Sequence, residues 1–382
     1  MRTEIKTAII IAIVVSVGIG GIGYYFTTLD KPKEVVTQVP TNNNKQGSTN
    51  VDSSASSTKT TQIDESQYPV APDLTGISGY VNTTPEDLKA AMKDKVVLYD
   101  FWTYSCINCI RTFPYLKAWN EKYSDKGLLI IGVHSPEFEF EKDINNVKMA
   151  VAKYGLQYPV VLDNDHATWN AFDNRYWPAE YLADSTGHIR HTHFGEGDYN
   201  ETEKAIQQLL DERSQRLGLG INVDQSLVNI KEHQFANQQT PELYFGYSFV
   251  TGRSFIGNSE GFKPEETVSY SLPSDLQQDH FYLEGQWQNL ADSMKLVSQS
   301  GKIVLPYFAK DVHIVAANKA DLQILLDGNP ISASDAGADV QNGTVHVSEN
   351  RLYNLVSSST AGSHTLTITA QSGFQIYTFT FG

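Results

Sequence analysis

Cys106 and Cys109 are the residues from which chemistry is expected. They are the only cysteines in 382 residues, and Ile107 and Asn108 alone separate them. A thiolate attacks a disulfide, and this spacing brings a second thiol within reach to resolve the mixed disulfide. The same spacing also serves as half of a zinc site, which needs two further ligands. His134, His166, His191 and His193 are present, but none has the spacing of a second half-site. The flanking sequence favours redox chemistry. Residues 96–101 (VVLYDF) read as a buried strand, β-branched and aromatic apart from Asp100. Beyond the pair, Ile110, Phe113, Leu116 and Trp119 share one face at helical spacing. The cysteines therefore fall at the carboxyl end of a strand, where a helix starts. Unpaired helix-start amides point at the Cys106 sulfur, and the dipole there favours a thiolate.

The positioning elements follow the same reading. Residues 128–133 (LLIIGV) form a second buried strand, 143–154 a helix, and 159–162 a third strand. Short strands at 179–183 and 188–194 flank a turn at 185–187, and a helix over 201–216 closes the unit. That order predicts an α/β fold, a mixed sheet with helices on its faces. Short β patterns then occur at 281–287, 303–308, 312–316, 322–326, 344–347, 351–356, 364–369 and 374–379, with turn residues at 327–330, 361–363 and 372–373. They predict an all-β sandwich or jelly roll.

At the front, residues 8–26 carry no charge and follow Arg2 and Lys6. As a helix this run nearly matches a bilayer core of roughly 30 Å. One transmembrane helix is expected, with a cleaved signal peptide as the alternative. Residues 41–62 are almost all Thr, Asn, Ser, Gln and Lys, the composition of a disordered tether. The expected division is 1–28 anchor or uncleaved signal, 29–68 tether, 69–220 the α/β domain, 221–240 linker and 241–382 the β domain. The expected location is the cell membrane, single-pass, with the catalytic domain on the extracytoplasmic side. A net charge of −15 argues against nucleic acid as a partner.

The segment Asp100-Phe101-Trp102-x-x-x-Cys106-x-x-Cys109 resembles the thioredoxin active-site signature. Pro114 falls where thioredoxins kink this helix, and Trp177-Pro178 resembles their cis-proline site. WTYSCINC, the long insertion after the second strand, YWPAEYLAD and the β-rich region behind are similar to the extracytoplasmic TlpA-like branch. Within it they resemble the carboxyl-terminal portion of DipZ-type proteins, from about Ala71 onward.

The resemblance implies a thioredoxin-like fold and a thiol–disulfide oxidoreductase that uses no cofactor. Cys106 is then the nucleophile and Cys109 the resolving thiol. Asp100, buried beneath the active end with a raised pKa, accepts the Cys109 proton. Pro178 places backbone beside the sulfurs, where an extended substrate pairs. Trp102 and Trp177 shape the docking surface, and Ile107 and Asn108 tune the potential. The implied partners are exported client proteins with disulfides and a separate polytopic membrane electron donor, CcdA-like. The β region resembles a carbohydrate-binding domain, which names a glycan as its ligand. Tyr244, Tyr247, Phe255, Tyr282 and Trp287 are the aromatics for that role, and a β core would use the same residues. Two other functions stay open, an oxidising role for the same pair and a surface binding protein. Glu137, Glu139, Glu141 and Asp143 are expected to form a solvated acidic loop, and His134 to lie at the functional edge.

Overall fold

Two sheets carry the structure, a computed structural model that describes residues 67–233, 239–250 and 255–382. The first has six strands: β1 (Gly79–Val81), β2 (Val96–Trp102), β3 (Leu128–His134), β4 (Val160–Leu162), β5 (Ala179–Ala183) and β6 (Ile189–Phe194). Their order is β1-β4-β3-β2-β5-β6. β2 lies parallel to β3 and antiparallel to β5, and all seven of its residues are buried. A strand covered on both faces has no polar side to show, hence its unbroken apolar reading.

Five helices cover this sheet: α1 (Pro85–Ala91), α2 (Ile107–Tyr123), α3 (Ile144–Tyr154), α4 (Ala167–Ala171) and α5 (Tyr199–Leu217). Phe113, Leu116, Val147, Ile206 and Leu210 bring α2, α3 and α5 against Val96, Leu98 and Ile130. Leu88 and Trp169 bring α1 and α4 against the other face, on Val97, Tyr99 and Phe101. Start signals are local: Thr84 accepts the Asp87 amide at 3.1 Å, and Asp143 accepts the Asn145 amide at 2.9 Å.

The second sheet has eleven strands. They are β7 (Leu243–Tyr244), β8 (Thr267–Tyr270), β9 (Tyr282–Asn289), β10 (Met294–Leu296), β11 (Ser300–Ala317), β12 (Ala320–Leu326), β13 (Asn329–Pro330), β14 (Val340–Gln341), β15 (Thr344–Val347), β16 (Arg351–Gln371) and β17 (Gln375–Phe381). The sandwich or jelly-roll expectation is corrected here. What reads as four short strands is two long ones, β11 of 18 residues and β16 of 21, paired antiparallel. Register shifts near Ala309–Asp311 and Val312–His313 interrupt that ladder without ending it, as β-bulges do. β9 pairs with β10 and also with the first part of β11, so one hydrogen-bonded sheet surrounds a single core. The glycan expectation also loses three of its five aromatics, while Tyr247 and Phe255 are half-buried. Trp287, Tyr282 and Tyr244 are buried and offer no open ring face to a sugar.

The membrane expectation is corrected as well. Among the described residues no helix is long and apolar enough to cross a membrane. The longest, α5, carries Glu201, Glu203, Lys204, Asp211, Glu212, Arg213 and Arg216, and it buries one face against the sheet rather than facing lipid. The fold is thus an α/β thioredoxin-like part plus a mostly-β part. The proposed anchor at 1–28 and the tether up to residue 66 lie outside the described residues.

The two sheets meet through the segment after β3. Phe138 and Phe140 pack on Tyr377 with ring centroids 5.1 and 4.7 Å apart, and Phe138 also meets Tyr244 and Phe249. Tyr244 Oη donates to Glu137 Oε1 at 2.6 Å. Phe138 is 2% exposed. Phe138→Ala is expected to cost roughly 3–4 kcal/mol in urea unfolding and to separate one transition into two.

Candidate active site

Cys106 is the N-cap of α2, with extended backbone, and its sulfur accepts the Cys109 amide at 3.2 Å. Both cysteines are free thiols; Cys106 is half-buried and Cys109 is 1% exposed. Burial, reinforced by a hydrogen bond to the Cys106 sulfur, pushes the Cys109 thiol well above its usual pKa. The pair is therefore asymmetric. One sulfur is open at a helix start, and the other is a thiol kept protonated behind it.

Behind Cys109 lies a group of buried ionisable residues. Asp100 is 1% exposed, and neither carboxyl oxygen has a hydrogen-bond partner. Burial and then the neighbouring Glu180 carboxyl push its pKa well up. Glu180 stands directly opposite Asp100 in the β2–β5 register. Burial lifts Glu180 to about 7, and a hydrogen bond with Thr202 pulls the other way. Tyr158 completes the group, its phenol held protonated by burial and by the nearby Asp100, Glu180 and Cys109. Two buried carboxyls this close do not ionise together, so the site retains a proton near neutral pH.

The turn between β2 and α2 is tied down from the segment after β3. Glu141 is fully buried, accepts the Ser105 hydroxyl at 2.5 Å, and accepts the amides of Glu137 and Phe138 at 2.7 and 3.0 Å. Burial pushes its pKa up while these hydrogen bonds hold it down. The expected solvated loop is thus corrected: Glu139 is exposed, whereas Glu141 is interior. A carboxylate so placed holds the residue before Cys106 in position.

The other sequence-derived residues are placed as follows. The Trp177–Pro178 peptide is cis. Trp177 is half-buried, donates from Nε1 to the Ser135 carbonyl at 3.0 Å, and lies on Trp169 with centroids 4.2 Å apart. Trp102 is fully buried, edge-on to Phe113 and His134, so it supports the site from within and offers no docking surface. Ile107 and Asn108 are half-buried beside Cys106. His134 is fully buried too, and burial drives its pKa down to about 3, which leaves it neutral. Among the described residues no group of His, Cys, Asp or Glu could hold a metal ion.

Cys106 opens into a cleft of about 120 Å³. Ser105 to Asn108 and Arg175 to Trp177 line one side, and Glu242, Tyr244, Val315, Thr378 and Thr380 of the second sheet line the other. Sequence reasoning missed Glu180, Tyr158 and this second wall. A glutamate two residues after Pro178 in an otherwise apolar strand was the available signal for Glu180. Its partner follows only from the register.

Comparison with known proteins places two families on the chain. Residues 67–210 match the family described as Redoxin, and residues 240–382 match the family described as Thioredoxin like C-terminal domain. Protein DipZ of Mycobacterium bovis is 39% identical over 316 residues, which cover 82% of this chain and 43% of that protein. The chain thus spans less than half the length of that relative. Thiol-disulfide oxidoreductase YkuV of Bacillus subtilis is 34% identical over 143 residues, 37% of this chain and 94% of that protein. A thioredoxin-like protein solved in solution in its oxidised form is 33% identical, with a TM-score of 0.34, covering 38% of this chain and 97% of that one.

The buried carboxyls give stability a pH dependence of definite sign. An unfolded Glu180 loses its proton near 4.5 and the folded one near 7, so the folded chain binds more protons between these values. Stability therefore falls as pH rises through that window, and the raised Asp100 adds to the same trend. Glu180→Gln is expected to remove on the order of 3 kcal/mol of that fall, read from urea midpoints at about pH 4.5 and about pH 8.

Proposed function

We propose, from the premise that the chain belongs to the thioredoxin-like thiol–disulfide oxidoreductases, that it works as a reductant of disulfides in client proteins. The observation that carries this reading is the asymmetry of the pair. The half-buried Cys106 at the start of α2 faces a cleft, and the buried Cys109 is held as a thiol beside Asp100 and Glu180. The Cys106 thiolate attacks one client sulfur and expels the other as a thiolate. Cys109 then passes its proton to Asp100, directly or through water, and attacks the Cys106 sulfur. The second client thiolate leaves, and Cys106 and Cys109 are left as a disulfide. Two electrons have moved from the pair to the client. A separate dithiol donor restores the pair, and the CcdA-like type is the one the sequence resemblance implies.

The reducing direction is the one that the sequence resemblance favours. The Cys109 amide donates to the Cys106 sulfur, and the residues between the cysteines are Ile107 and Asn108, neither of them histidine.

Three measurements test the reading. The reduction potential of the Cys106–Cys109 pair, equilibrated against dithiothreitol buffers, is expected at or below about −250 mV, whereas a value near −120 mV reverses the direction. Cys109→Ser is expected to accumulate a mixed disulfide at Cys106, seen by mass spectrometry, and Cys106→Ser to accumulate none. Asp100→Asn is expected to slow resolution at neutral pH by at least roughly tenfold with the first attack unchanged, measured by rapid quench.

A further inference from the structure

Asp100 is asked to take a proton while it already holds one. Its carboxyl is 1% exposed, and burial together with the Glu180 carboxyl keeps it protonated near neutral pH. It becomes a base only after that proton has left. The cleft is a poor way out. Cys109 and Asp100 both lie behind it, and a client engaged at Cys106 covers its mouth. The proton needs an exit on another side of the molecule.

Strand register lays out such an exit. Asp100 stands opposite Glu180, and Glu180 opposite His193, across β2, β5 and β6. Leu182 and His191 are the next pair on the same face, since side chains two residues apart in a strand point the same way. α5 packs on this face, its Ile206 and Leu210 sharing a core with Leu182. Thr202 of α5, 1% exposed, links the two strand residues. The Glu180 carboxyl, 2% exposed, hydrogen-bonds with Thr202, and Thr202 Oγ1 lies 3.2 Å from His191 Nε2. His191 is half-buried and reaches solvent. At the inner end both Asp100 oxygens and Glu180 Oε2 have no hydrogen-bond partner among the described residues, so no other donor competes for the proton they share. The titratable groups around the outer end are His193 on β6, Glu180 on β5 and Glu201 on α5. Burial lowers the His191 pKa, His193 adds to that and Glu201 opposes it, so the ring is neutral near neutral pH and able to accept.

We propose that Glu180, Thr202 and His191 form a proton relay that empties Asp100 to solvent on the α5 side of the sheet. The proposal rests on the reductase reading and extends its second step. The Asp100 proton passes to Glu180, directly or through water. Glu180 gives a proton to Thr202 Oγ1 as the Thr202 hydroxyl gives its own to His191 Nε2. His191 then releases the proton on Nδ1 to water. One proton has gone from Asp100 to solvent, and no electron has moved. Asp100 is now the carboxylate that takes the Cys109 proton as that sulfur attacks Cys106.

The test uses the full chain, reduced and then freed of reductant, in single turnover with a short cysteine peptide supplied as its disulfide-linked dimer. Rapid quench separates the first attack, which frees one peptide, from resolution, which frees the second. Thr202→Val and His191→Ala are each expected to slow resolution about tenfold at about pH 7 and to leave the first attack unchanged. Thr202→Ser, which keeps the hydroxyl, is expected to run at the parent rate. Imidazole added to the buffer is expected to restore His191→Ala, whose site opens to solvent, and not Thr202→Val; a merely structural role for His191 would not respond to it. His193→Gln is expected to match the parent chain. His191→Ala, at a half-buried position, carries the test if Thr202→Val does not fold. Resolution at the parent rate in His191→Ala overturns the relay and leaves the reductase standing. Slowing in His193→Gln alone does the same, and so does a defect in His191→Ala that imidazole leaves untouched. A Cys109→Ser chain that forms no mixed disulfide with this peptide overturns the function itself, and the relay falls with it.

Discussion

The hydrogen bond from the Cys109 amide to the Cys106 sulfur is the contact around which the rest is arranged. It exists only if α2 starts at Cys106, and that in turn requires β2 to end at Trp102 and the turn between them to hold its shape. The turn is short, and its residues are buried. Ser105 is secured by Glu141, and Trp102 is wedged between Phe113 and His134. A thiolate at a helix start is favoured by the dipole and by free amides, but only within the first turn. A slip of one residue would leave the wrong sulfur there.

Behind that contact the protein holds several ionisable groups out of water. Asp100, Glu180, Tyr158 and Cys109 share one interior region, and every one of them is pushed toward its protonated state. Burying such groups costs stability. In the proposed cycle, these carboxyls stand beside the Cys109 sulfur and take part in moving its proton. Glu141 is a different case. It is buried just as deeply, but its oxygens are satisfied by a hydroxyl and two backbone amides, so it acts as a brace. Equal burial thus serves opposite ends, depending on whether the oxygens have partners.

The second sheet changes the character of the site. Without it, Cys106 would stand open at the carboxyl end of a central strand of the first sheet. With it, the sulfur lies in a cleft whose far wall is made by β7, β11 and β17. The clamp of Phe138 and Phe140 on Tyr377 sets the distance between the walls, and the same segment supplies Glu141 to the turn. One stretch of chain after β3 therefore joins the second sheet to Ser105, the residue preceding Cys106.

The strand ending near Phe101, the helix beginning at the cysteines and the thiol pair itself were legible in the sequence, because each follows from local spacing and composition. β5 was read at the bounds the structure shows, and β3 to within one residue. Long-range features were not legible. The stretch 361–363 has turn composition, yet Ser363 pairs with Phe308 and Gly362 with Ala309 in the middle of β16, because a partner strand overrides a weak local preference. Glu141 sat in an acidic run that reads as solvated, and only the packing of the two sheets puts it inside. The sequence by itself determined which atoms react and that they stand at a helix start. Tertiary structure alone decided that Asp100 faces Glu180 and that a second sheet closes the cleft. Strand register and the docking of one sheet on another bring together residues far apart in the chain, and no local pattern encodes such a distance.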